Sequence, residues 1–136
     1  MLPHRLPSIP HSGRAVVFAC AISAIVAAML PGLTLQERLG AVLLVPVSFF
    51  AAYAVARLML PLLGGTSKFG TTVAIVLFYV MPAAGALAFC LAPFGLWSDG
   101  PQTPGYRAYD VATSLPVGIG VAAAALRRIR ANSGVA

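Results

Sequence analysis

The sequence predicts an all-α fold: a polytopic membrane protein built as a compact bundle of four transmembrane helices, with both termini cytoplasmic. Three observations predict it: the composition, four long charge-free runs, and the placement of the basic residues. Of 136 residues, 60% are hydrophobic and only 9% are charged, and the mean hydropathy is +0.92. A soluble domain is about a quarter charged. A water-soluble globule and a disordered chain are therefore both excluded. The net charge of +6 comes from nine basic residues scattered between apolar stretches. They form no continuous phosphate-tracking stripe, so no nucleic-acid partner is expected.

The runs define the elements. No charge occurs from Ala15 to Gln36, from Leu39 to Ala56, between Lys68 and Asp99, or between Asp110 and Arg127. A helix needs about 20 apolar residues to cross about 30 Å of hydrocarbon. The spans are placed at about 15–31, 38–63, 69–96 and 110–127, within a transmembrane domain of 14–130. A cytoplasmic tail (1–13) precedes it and a short tail (131–136) follows. The first run is longer than a signal-peptide core and has no clean small-x-small cleavage site after it, so it is expected to be retained. The fourth is the weakest, shortened and broken by Thr113, Ser114, Pro116, Gly118 and Gly120.

Charge asymmetry makes the fourth run a span. With four crossings, one side holds Arg5, Arg14, Arg57, Lys68, Arg127, Arg128 and Arg130. The other side holds Arg38 and Arg107 with all three acids, Glu37, Asp99 and Asp110. Basic residues collect on the cytoplasmic side, which makes the first group cytoplasmic and suggests a bacterial cytoplasmic (inner) membrane. A direct check uses single cysteines at Ser98 or Ser133, in a chain with Cys20 and Cys90 replaced. An impermeant thiol reagent applied to intact cells is expected to label Ser98→Cys and spare Ser133→Cys; the reverse pattern inverts the topology.

The connections are legible too. Pro31-Gly32 ends the first helix, and Thr34 to Glu37 reads as a capping box that opens the second. Gly64-Gly65 stops the second helix, with Thr66-Ser67 offering a cap for the third. Gly95 to Asp110 reads as consecutive turns carrying Trp97, Tyr106 and Tyr109, with Asp110 capping the last helix.

Small residues four apart mark each span: Ala15, Ala19, Ser23 and Ala27; Ser48, Ala52 and Ala56; Ala84, Ala88 and Ala92; Ser114, Gly118 and Ala122. Such residues let helix backbones approach closely where lipid supplies no hydrophobic drive. Ala19, Ser23, Ser48, Ala52, Ala84, Ala88, Gly118 and Ala122 are the expected packing positions. Pro46 and Pro61, Pro82 and Pro93, and Pro116 read as static kinks in the second, third and fourth helices.

Arg57 is the one charge inside a span. It lies about 9 Å from the cytoplasmic end at 1.5 Å per residue, where its side chain can snorkel out. The alternative is a contact with an anion or a lipid headgroup, shared with Lys68. Little else suggests chemistry. Both histidines, His4 and His11, precede the first span, and the three acids are isolated. Cys20 and Cys90 fall at different depths and read as packed thiols. No metal, cofactor or catalytic residue is expected, and the chain is not expected to be an enzyme. The sequence points first to a non-enzymatic accessory or structural subunit, its partners the lipid bilayer and other membrane-protein subunits or itself. The alternative is a small oligomeric carrier or channel for a neutral, anionic or lipid-like solute.

Overall fold

Four helices follow in chain order: α1 (Ile9–Met29), α2 (Leu35–Gly64), α3 (Lys68–Leu91) and α4 (Pro104–Asn132). They are seen in a computed structural model that describes residues 9–64, 68–97 and 103–132. No strand occurs among these described residues. Three stretches are long and apolar enough to cross a membrane: Leu35–Leu63, Lys68–Phe94 and Pro104–Ala131. The apolar part of α1 is shorter, Gly13–Met29.

Local chemistry sets the helix ends. Pro31-Gly32 turns the chain after α1, with Gly32 at φ 79°, a left-handed value that side chains disfavour. The capping box then forms. The Glu37 backbone N–H donates to Thr34 Oγ1 at 3.2 Å, and the Thr34 N–H donates to Glu37 Oε1 at 3.0 Å. Arg38 ties the turn together by donating from Nη1 to the Ala28 carbonyl at 2.7 Å, one of the acceptors left open at the end of α1. Pro46, Pro61, Pro82 and Pro116 all lie inside uninterrupted helices. Among the described residues, no helix is split at these prolines into the half-helices that transporters use to build binding sites.

The second half of the chain departs from expectation in three places. α3 ends at Leu91, and Ala92–Phe94 form a 3-10 turn, so Pro93 lies inside that turn and not in α3. Gly95 closes it at φ 72°, with the Leu96 N–H donating to the Leu91 carbonyl. Next, α4 begins at Pro104, not Asp110. The Thr103 hydroxyl accepts from the Tyr106 N–H at 3.3 Å, and proline suits the first helical position because its missing N–H would be unpaired there anyway. Pro104-Gly105 is thus a helix start and not a turn, and Tyr106, Tyr109 and Asp110 ride on α4. Finally, Cys20 is half-buried, but Cys90 is exposed on the outer face of α3 and is no packed thiol. Thr66-Ser67, Asp99 and the tail residues before 9 and after 132 lie outside the described residues.

Packing centres on α4. Half of its apolar stretch is buried, against 22% for α2 and 17% for α3. α2 and α3 each pack along α4 but touch each other little, while α1 lies against α4 and α2. One core cluster joins Ala27, Ala41, Val45, Ala92, Ala108, Val111 and Ala112. The other joins Ala56, Leu60, Ala74, Ala124, Ala125 and Ile129. From this pairing α2 and α4 run in one direction, and α1 and α3 in the other. The second cluster lies at the end rich in arginine, called here the basic end.

Backbones meet in two places. A Cβ on Gly118 would collide with the Met81 carbonyl oxygen and stand 3.2 Å from the Gly85 Cα. One on Gly85 would fall 2.9 Å from the Ser114 carbonyl oxygen. On the other side of α4, a Cβ on Gly120 would lie 2.6 Å from the Phe49 carbonyl oxygen and 3.1 Å from the Ala52 Cβ. The glycines that make α4 a poor span by composition are what seat it between α3 and α2.

Candidate functional site

The eight predicted packing residues can be placed one by one. Ser23, Ser48, Ala88, Gly118 and Ala122 are buried, and Ala19, Ala52 and Ala84 are half-buried. They do not form one surface. Ser23 lies between α1 and its neighbours, Ser48 and Ala52 on α2, and Ala84 and Ala88 against α4. Two of the closest-packed positions, Gly85 and Gly120, fall outside the four-apart series.

Among the described residues, three recesses bear on function. The first is an apolar groove of about 610 Å³, with walls from α2 and α3 and a floor from Val117 and Val121 of α4. Its α2 wall runs from Val47 to Leu63 and includes Ser48, Ala51, Ala52 and Ala56. The exposed side chains of Val47, Val55, Met59 and Leu63 form its lip. The groove therefore opens sideways, not along the bundle axis.

The second recess lies between α3 and α4 near the opposite end from the arginines. It holds about 240 Å³ and is lined in part by Trp97, Asp110, Thr113 and Ser114. Both hydroxyl protons there are already used within α4. Thr113 donates to the Tyr109 carbonyl at 2.9 Å, and Ser114 donates to the Asp110 carbonyl. Such back-bonding lets a membrane helix carry hydroxyls without an outside partner.

The third recess, at the basic end, is a cleft of about 260 Å³ between α2 and α4, lined by Arg57, Leu60, Pro61, Ala124, Arg127, Arg128 and Ala131. Arg57 is exposed, as expected of a side chain that reaches toward a surface, but Arg127 and Arg128 are beside it. Lys68, also exposed, starts α3 and does not line this cleft. Arg127 donates from Nη1 to the Tyr53 hydroxyl at 3.2 Å, and the Tyr53 ring stacks on Phe49 with centroids 6.3 Å apart. Arg128 Nε is buried with no hydrogen-bond partner among the described residues. Sequence reasoning had treated Arg127 and Arg128 only as topology signals. The signal for their role was available, because two helices that run the same way and end on the same side bring their terminal arginines to one depth.

Among the described residues, no three His, Cys, Asp or Glu side chains gather into a group able to hold a metal ion. The fold and these recesses define a class: an all-helical bundle with membrane-spanning-capable helices, an apolar lateral groove and a basic cleft. No protein-family model matches the chain, and no curated protein or solved structure matches it.

Proposed function

We propose that the chain is a non-enzymatic multi-pass protein of a bacterial cytoplasmic membrane, crossing four times with both termini inside. In this reading it is an accessory or structural subunit that receives a transmembrane helix of another membrane protein in the groove between α2 and α3. The groove is the observation that carries the reading. Its α2 wall, from Val47 to Leu63, extends about 24 Å at 1.5 Å per residue, close to the hydrocarbon thickness. Ser48, Ala51, Ala52 and Ala56 keep that wall low, which favours close approach of a helix backbone.

A solute path through the chain itself would want polar groups along the bundle axis. The described core there is alanine, valine, leucine and isoleucine, with Ser23 and Ser48 the buried polar residues. This favours the accessory reading over the carrier.

The test is a photo-activatable side chain placed at Val55, on the groove lip, or at Leu58, exposed on the outer face of α2. Val55 is expected to cross-link to a different membrane protein that co-purifies in stoichiometric amount, and Leu58 is not. Ala51→Trp, which fills the groove, should release that partner while leaving the chain folded. Cross-links only between copies of this chain, in a clean homo-oligomer, would transfer the case to the carrier reading.

A further inference from the structure

We propose that the cleft lined by Arg57, Arg127 and Arg128 binds one phosphate group, presented by an anionic lipid of the leaflet at the basic end. This inference stands apart from the accessory-subunit reading and does not need it.

Charge is the first argument. Three arginines line a cleft of about 260 Å³, and no acidic residue is in its lining. Glu37 belongs to the first turn of α2 and Asp110 to the second turn of α4. They lie 20 and 17 residues before Arg57 and Arg127, or about 30 and 25 Å along their helices. At that distance, well beyond the roughly 8–10 Å over which salt screens exposed charges, they offer little compensation. A bound anion supplies what the described chain does not.

Donor geometry is the second argument. Arg128 Nε is buried without a partner among the described residues, and an unmet buried donor of a charged group is costly. Arg127 is steadied by the Tyr53 hydroxyl, itself held in the Phe49–Tyr53 stack. A planar guanidinium presents paired N–H groups that match two phosphate oxygens, and several such forks around one small space suit a tetrahedral anion. A snorkelling arginine needs none of these companions.

Position supports a lipid as the source. Arg57 lies seven residues before the end of α2 at Gly64, and Arg127 five before the end of α4 at Asn132. These offsets place both about 8–10 Å in from the helix ends. Leu60, Pro61, Ala124 and Ala131 give the cleft an apolar side, which suits the glycerol and first methylenes of a phospholipid better than a fully hydrated ion. Free phosphate shares the recognition chemistry, so the experiment must separate the two.

The full chain, delipidated in a neutral detergent, is titrated with phosphatidylglycerol, phosphatidylcholine or inorganic phosphate. Native mass spectrometry and thermal unfolding are the readouts. One phosphatidylglycerol per chain is expected to be retained with a rise in Tm, and phosphatidylcholine, whose headgroup carries its own cation, to bind more weakly. Arg57→Gln and Arg127→Gln should each weaken phosphatidylglycerol binding about tenfold, the loss of one charged hydrogen-bonding group. Lys68→Gln removes the same charge at the same end but outside the cleft, and should bind like the parent. Arg57→Lys retains the charge that insertion needs, so it stays informative if the glutamine variant fails to insert; weakened binding with normal helicity is expected. Displacement of the lipid by equimolar inorganic phosphate would keep the site and assign it to a soluble phosphate compound. Equal binding by parent, Arg57→Lys and Arg127→Gln, or equal losses in Lys68→Gln and Arg57→Gln, would overturn the proposal.

Discussion

Gly118→Leu is expected to abolish the folded bundle. The Gly118 Cα sits against Gly85, and any Cβ there meets the Met81 carbonyl oxygen. That atom belongs to the α3 backbone and cannot rotate away as a side chain tip could. Leucine would force α3 off α4 over the length of their seam, at a cost of about 3 kcal/mol or more for overpacking a tight contact. Gly118→Ala carries the same first atom without the bulk and should cost about 1 kcal/mol, the lower end of the range for such strain. Gly13→Ala is the control, since nothing lies within 4 Å of its added Cβ and alanine favours a helix over glycine by about 1 kcal/mol. Thermal unfolding in detergent, read by circular dichroism and by elution profile, gives the order. A Gly118→Leu protein that elutes as a single species with unchanged Tm would show that α3 and α4 do not meet there.

Ser23 gives the second large effect, and the sign depends on the substitution. Its side chain is fully buried, with 0% exposure, and its hydroxyl has no hydrogen-bond partner among the described residues. Ser23→Ala removes an unmet polar atom and leaves the shape nearly intact, so it should stabilise the bundle by about 1 kcal/mol. Ser23→Leu adds three carbons at a fully buried position and should destabilise by about 1–3 kcal/mol. Val17→Leu, at an exposed position, should change little. The measurement is again Tm in detergent. An alanine variant less stable than the parent would mean that the hydroxyl is bonded after all.

Much of this fold could be read from residue order alone, because charge is costly in hydrocarbon and its absence outlines a helix. The turns at Pro31-Gly32 and the Thr34–Glu37 box were equally plain, since each residue there acts on its own backbone. Contacts between helices were harder. A series stepped by four turns 40° per step around a helix of 3.6 residues per turn. On α3, the step of four back from the buried Ala88 reaches Ala84, which is only half-buried, while Met81, Gly85 and Ala88, in steps of four and three, keep to the seam with α4. That drift is why Gly85 was missed. Pro104-Gly105 was misread for a different reason: the pair has the same letters in a turn and at a helix start, and only the Thr103 hydroxyl on the Tyr106 N–H distinguishes them. The basic cleft was harder to see because Arg57 and Arg127 are 70 positions apart: the order of crossings puts them at one depth but does not say that α2 and α4 lie side by side.

The central place of α4 has a consequence for how the molecule comes into being. α2 and α3 scarcely touch without it, and the faces they would offer each other are already shaped for a third helix. Synthesis delivers these two first, with little to hold one to the other. Only when the ribosome has released the segment from Pro104 onward is there anything to gather them. The least greasy helix, the one with most to lose in bare lipid, is thus the last of the four to arrive and the one around which the others close. A chain cut short before it would keep only the pairing of α1 with α2, and would leave α3 with its small-residue face uncovered.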